Sequence, residues 1–174
     1  MTTPFTPGSR TTSRELTATT QDIYGTLRRR MLEYVNANGD SAADILGGID
    51  QARLYVIRAP DPSSPIFPYG IMNLKNQRSD TGRIGRMTAD LEVQLYGRPF
   101  DTLPDVQYAA DVLVAATTAF VSITDGLTFS RQWQRDEFPM PTAPADSETC
   151  TIRLLFPLVI WPKMLTSLAV NSPS

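Results

Sequence analysis

The chain contains no histidine. That excludes Ser-His and Cys-His catalytic pairs, imidazole metal sites and histidine acid–base chemistry. Cysteine occurs once, at Cys150, so neither an internal disulfide nor a cysteine-cluster metal site can form. A lone cysteine points to a reducing or an indifferent compartment. Lysine is almost missing too: apart from Lys75 and Lys163 every basic residue is arginine. GC-rich codon usage is the plain explanation, and the fitness of arginine for planar, bidentate protein contacts is the other. Positive charge is not in excess, because 16 basic and 18 acidic residues leave a net charge of -2. A conventional nucleic-acid-binding domain is therefore disfavoured. Long hydrophobic runs are absent as well. The most apolar stretch, Ile152 to Trp161, holds Arg153 and Pro157 and is far short of the ~20 residues of a spanning helix. Met1 to Leu16 lacks the apolar segment of a signal peptide. The sequence reads as soluble and unexported, with no membrane partner.

What is present suffices for one folded domain: 174 residues, 41% apolar and 20% charged. Residues 1–18, rich in Thr, Ser and Pro, read as a flexible arm. Residues 19–163 form the domain and 164–174 a weakly ordered tail. Thr19 or Thr20 caps a first helix, with Asp22 in its first turn. Ile23, Leu27, Met31, Tyr34 and Val35 recur at helical spacing, and Asn38-Gly39 supplies the stop. A short helical turn is expected at Ala42 to Leu46. Strands are expected at Arg53–Arg58, Pro68–Lys75, Met87–Tyr96, Leu127–Arg135 and Thr149–Trp161, and a second helix at Asp105–Ser122. Ala59–Pro65 and Phe138–Glu148 are proline-rich loops, and Asn76–Gly85 is a polar one. Without regular βαβ alternation this order predicts an α+β fold: a mainly antiparallel, four- to five-stranded sheet with two helices packed on one face.

The last strand is the informative one. Ile152, Leu154, Phe156, Leu158 and Ile160 share one face, while Leu155, Val159 and Trp161 share the other. A strand apolar on both faces needs cover on both. Pro157 cannot donate to a ladder, which points to a sheet edge or a bulge. The cover is either the chain's own arm or tail, or a neighbouring subunit. Leu155, Val159 and Trp161 are the candidate subunit-interface residues. The loop Asn76–Arg86 offers Arg78, Asp80, Arg83 and Arg86 as candidate contacts to a partner protein. A solvated hairpin is the bland alternative, and direct DNA contact is disfavoured by the acidic total charge. Arg28, Arg29 and Arg30 read as a solvated helix face, with Arg28 snorkelling at its rim.

Catalytic candidates are thin. Asp136 and Glu137 are neighbours on a strand and point to opposite faces. Asp90 and Glu92 share the polar face of an amphipathic strand, where solvated carboxylates belong. Cys150 has no base to activate it and reads as a small strand residue. The chain is therefore expected not to be an enzyme and to need no cofactor or metal.

The ordered pattern of elements resembles the tail terminator, or tail completion, proteins of long-tailed bacteriophages. A helix (DIYGTLRRRMLEYV) comes first, then a strand feeding a proline-rich stretch (YVIRAPDPSSPIFPYGIM). Next come an alternating strand (RMTADLEVQLYGR) and an Ala-rich helix (VQYAADVLVAATTAF). The resemblance covers roughly Asp22 to Trp161, and it implies a small α+β subunit of a hexameric ring. Such a ring caps the tail tube, halts its polymerisation and receives the head connector or completion protein, and DNA passes through without sequence-specific binding. It implies a virion protein of the tail or neck, assembled in the host cytoplasm, with no catalytic residues. The long Thr/Ser/Pro arm and the Phe138–Glu148 insertion depart from the family's minimal form. Another neck or head-completion connector, or a monomeric protein-binding module, is the alternative reading.

Overall fold

Two eleven-residue strands make the centre of the sheet; burial alternates strictly along one of them, and along the other it is interrupted by a buried Glu92. The computed structural model describes residues 23–35, 37–48, 50–59, 64–79, 86–99, 101–119, 127–137 and 149–161. The expected arm (1–18) and tail (164–174), the Thr19/Thr20 cap, Asp22, Phe138–Glu148, Asp80, Gly82, Arg83 and Gly85 lie outside these residues. The described elements are α1 (residues 23–33), α2 (Ala42–Ile45), β1 (Leu54–Val56), β2 (Tyr69–Ser79), β3 (Met87–Gly97), α3 (Leu103–Ala119), β4 (Leu127–Phe129), β5 (Gln134–Glu137) and β6 (Cys150–Ile160).

The sheet has the order β1-β2-β3-β6-β4, with β5 also paired to β6. Only β1 and β2 run parallel; the other ladders are antiparallel. The fold is therefore α+β with a mainly antiparallel sheet. It has six strands rather than four or five, because the stretch expected as one strand from Leu127 to Arg135 is divided into β4 and β5. The cause lies across the ladder. The Pro157 carbonyl points to this side and accepts from the Ser130 amide at 2.8 Å. A residue's N–H points the same way as its carbonyl, so this is also where proline's missing donor leaves a gap. Pairing resumes at Gln134, and Trp133, expected inside the strand, is exposed instead. β6 is thus an interior strand, not an edge; proline is accommodated by the break in its neighbour.

Alternation sorts the sheet into two faces. Leu91 lies opposite Phe156, Val93 opposite Leu154 and Leu95 opposite Ile152. With Met72 and Leu74 of β2 these residues are buried against Ile23, Leu27 and Met31 of α1 and Val106, Ala110 and Leu113 of α3. Both long helices therefore cover one face. α2 is fixed by a capping box in which the Asp44 amide donates to the Ser41 hydroxyl and the Asp44 carboxylate accepts from the Ser41 amide. Arginines tie α1 to the sheet. Arg28 donates to the Leu54 and Ala52 carbonyls at 3.0 Å each. Arg30, which burial and then the charge of Arg29 push down to about 10, donates to the Leu127 carbonyl at 3.2 Å. Of the three arginines only Arg29 is a solvated one.

Three element boundaries differ from expectation. α1 stops at residue 33, before Tyr34 and Val35; Val35 bridges Ser41 and is exposed. β2 runs on to Ser79, through residues expected in a loop, because β3 supplies a ladder that needs no apolar side chains. A bulge between Lys75 and Arg78 puts Asn76 at φ 52, a conformation asparagine tolerates. α3 begins at Leu103 rather than Asp105, with Pro104 in the first turn, where its missing N–H has no partner to lose.

Candidate functional site

The face of the sheet away from the helices is built from Tyr69, Ile71, Asn73 and Lys75 of β2, the even-numbered residues of β3 and the odd-numbered residues of β6. No described helix packs against it. It divides into three zones along the strands.

At one end is an aromatic ladder. Tyr69 stacks on Tyr96 with centroids 4.8 Å apart and planes at 12°. Tyr55 and Phe67 flank Tyr69 at 6.3 and 5.4 Å, and the Arg98 guanidinium sits 5.2 Å above the Phe67 ring. Burial, and then the neighbouring phenols, raise both Tyr69 and Tyr96 above the ordinary tyrosine value.

The middle zone is ionic and centres on Glu92. Expected to be solvated, Glu92 is only 3% exposed. Its carboxylate accepts from Lys75 Nζ at 2.7 Å, Arg153 Nε at 2.8 Å and Gln94 Nε2 at 2.8 Å. The Tyr96 hydroxyl donates onward to Gln94, and Arg153 also reaches Asp136 at 3.5 Å. Burial pushes the Glu92 carboxyl up, but the hydrogen bonds and charges of Lys75 and Arg153 outweigh it, so the carboxyl lies below its ordinary range. Asp90 is held by Asn76 Nδ2 at 2.7 Å. Glu92 is thus a fixed anion between two cations, not a poised acid or base.

The third zone is apolar. Leu155, Pro157 and Val159 follow one another along β6, with Trp161 just past its end, all half-buried. The Arg86 guanidinium lies over the Trp161 ring, 5.9 Å from its centroid. A cleft of about 510 Å³ opens here, lined by Arg78, Thr88, Asp90, Thr128, Pro157 and Val159 among others.

The three expected interface residues, Leu155, Val159 and Trp161, therefore share one surface. Arg78 and Arg86, expected on a separate contact loop, belong to the same surface: Arg78 on β2 opposite Thr88, Arg86 on Trp161. Asp80 and Arg83 lie outside the described residues. Missed by sequence reasoning were Glu92, with partners distant in sequence, and the Tyr55–Tyr69–Tyr96 ladder, whose signal was the recurrence of tyrosine on strands of one sheet. Asp136 and Glu137 do point apart, to Arg153 and to Arg135, where Arg135 also holds Asp111 at 2.6 Å. Cys150 is buried beside Gly97, and burial pushes its thiol up. Among the described residues no group of carboxylates or thiols could hold a metal ion, and no helix is long and apolar enough to cross a membrane. No protein-family model matches the chain, and no curated protein matches it.

Proposed function

We propose that the protein is a structural subunit of the neck of a long-tailed bacteriophage, a tail terminator that assembles into a ring on the end of the tail tube. The observation that carries this reading is the sheet face opposite the helices. Its β6 half presents Leu155, Pro157, Val159 and Trp161, with no described element against it. Apolar surface of this kind on a rigid sheet marks a contact with another protein. The remaining support is the order of elements quoted from the sequence, and a polar centre whose carboxylate is neutralised by fixed partners rather than left for chemistry. In this reading the face makes the subunit contact, and the end of the β2–β3 hairpin, with Arg78, meets the tube or the head connector. DNA passes through the bore without base-specific contact.

The test is to add purified protein to growing tail tubes and image them by negative stain. Elongation should stop, with a ring at the tube end. Leu155→Asp and Val159→Asp should abolish capping while circular dichroism stays that of the parent, since an unpaired carboxylate in an interface costs several kcal/mol. A parent protein that stays a compact monomer and never binds tubes refutes the reading.

A further inference from the structure

We infer that α1 guards the first edge of the sheet: Tyr24 and Arg28, one helical turn apart, occupy outward backbone groups of β1 and β2 and so close a site where an extended strand would otherwise add. This goes beyond the assembly reading above and does not rest on it.

The edge is of the kind that recruits strands. The run Leu54-Tyr55-Val56-Ile57 is aromatic and β-branched, uncharged, and free of proline and glycine, a composition that favours pairing between chains. It lies on β1, which stands at the end of the sheet order, and among the described residues no strand pairs with its outer side. Exposed edges of this composition are aggregation sites unless something blocks them. The opposite edge needs less protection. Its strands, β4 and β5, are three and four residues long, and β5 is the charged run Gln134–Glu137.

The ladder fixes which backbone groups point outward. The Gly70 amide donates to the Arg53 carbonyl at 2.7 Å, and the Ile57 amide donates to the Met72 carbonyl at 2.9 Å. Residues 53, 55 and 57 therefore face β2, and the carbonyls of Leu54 and Val56 face away. Both outward carbonyls are taken. Arg28 Nε donates to that of Leu54 at 3.0 Å, and Arg28 Nη2 donates to that of Ala52 at 3.0 Å. The Arg58 amide closes on that of Val56 at 2.8 Å. On β2, Gly70 and Met72 face β1, so Leu74 points to the same side, past the end of β1. Its amide donates to the Tyr24 hydroxyl at 2.8 Å.

An incoming strand must exchange hydrogen bonds with this edge. Its amides would meet carbonyls that are already occupied, and a buried amide without an acceptor is costly. The Arg28 guanidinium also stands where the added strand would lie. Tyr24 and Arg28 are four residues apart, hence on one side of α1. The same helix puts Ile23, Leu27 and Met31 into the core, so the guard is held as firmly as the core itself. Arginine suits this position because its planar fork reaches two carbonyls at once.

The experiment compares the full-length parent with the double variant Tyr24→Phe/Arg28→Met, which keeps the apolar bulk of both side chains and removes their hydrogen bonds. Circular dichroism checks folding. The infrared amide I band reads strand pairing between molecules, which association through a sheet face does not produce, and sedimentation velocity gives the association constant. The double variant should pair strands, with association strengthened on the order of tenfold for each carbonyl freed. The parent should show no such band at the same concentration. Two comparisons separate this from a mere loss of stability. Leu113→Ala opens a cavity in the core under α3 and, at an equal fraction unfolded, should show no strand pairing. Ile57→Lys added to the double variant puts a charge on the freed edge, at a residue 64% exposed, and should remove the pairing. If the double variant does not fold, Arg28→Lys replaces it and should pair strands to a lesser degree, since an ammonium lacks the fork that spans both carbonyls. A folded guard variant without strand pairing overturns the inference. So does Leu113→Ala pairing as strongly, or pairing that persists after Ile57→Lys.

Discussion

Replacing Glu92 with glutamine tests whether the ionic centre of the sheet is an assembled part of the fold. The change keeps shape and removes charge. In the parent the carboxylate accepts three hydrogen bonds, two from cations at 2.7 and 2.8 Å and one from Gln94 at 2.8 Å. Removing one member of a fully buried pair costs about 3–5 kcal/mol, because the other charge is stranded. Here Lys75 and Arg153 keep 43% and 35% of their side-chain surface in water, so both can rehydrate, and Arg153 retains Asp136. The cost therefore falls toward that of one charge-assisted hydrogen bond, about 2 kcal/mol. For a chain of this size that is a fall of about 4–8 °C in thermal midpoint. The pH dependence has a definite sign. The folded-state carboxyl lies below its ordinary value, so its stabilisation is complete above the ordinary carboxylate range and is lost as pH falls through the folded-state value. Urea denaturation should show the gap between parent and Glu92→Gln at pH 7 and should show it closing on acidification. A gap under about 0.5 kcal/mol at pH 7, the range of an ordinary surface change, or a gap that widens in acid, refutes the reasoning.

Gly97 sits where α3 is pressed onto the end of β3. A Cβ there would collide with Val106 and lie 2.9 Å from Thr102 Oγ1 and 3.3 Å from Cys150 Sγ. Gly97→Ala should cost about 1–3 kcal/mol by overpacking, read from the urea midpoint, and an unchanged midpoint would mean that the α3 junction is looser than described. Ile57 holds φ at 70° in a three-residue turn closed by the Arg58 amide on the Val56 carbonyl at 2.8 Å, with its side chain 64% exposed. Relief of about 1–2 kcal/mol of left-handed strain exceeds the added chain entropy of glycine, about 0.5–1 kcal/mol. Ile57→Gly should therefore raise stability slightly, whereas a clear loss would show that the isoleucine side chain packs on something.

The long elements were legible in the sequence because each carries one period over many residues. Met87–Gly97 differs by a residue from the strand its alternation predicts, Cys150–Ile160 differs by a residue at each end from the strand expected of its apolar run, and the helix around Ala109–Ala116 was plain from its apolar side. What escaped was decided by partners. Alternation places Glu92 on the polar face, but says nothing of Lys75 and Arg153 closing over it, the latter 61 residues away. Arg78 looks like a loop residue because its neighbours are polar, yet the backbone of β3 holds it in a strand. The parallel pairing of β1 with β2 leaves no mark in a three-residue strand. The break between β4 and β5 was half-legible: Pro157 announced an irregularity, but only the ladder shows that the neighbour bears it. For the candidate surface, the apolar side of β6 was readable from the sequence. Its merger with the arginines of the β2–β3 hairpin was not, because Trp161 and Arg86 meet only once β3 and β6 are in register.

The place of β6 between β3 and β4 has a consequence for biosynthesis. The first three strands can pair as they emerge, but β4 and β5 have no described ladder except to β6. Until Cys150–Ile160 leaves the ribosome, the two parts of the sheet are unjoined and the inner edge of β3 is bare. At ordinary translation speeds of about 5–20 residues per second, the nascent chain passes several seconds in that state. The face on which the proposed self-contact depends does not exist during that interval, because half of it is β6 itself. A late keystone strand therefore acts as a timer: a subunit becomes competent to associate only once β6 has joined the two parts of the sheet, not while β1 to β3 stand alone.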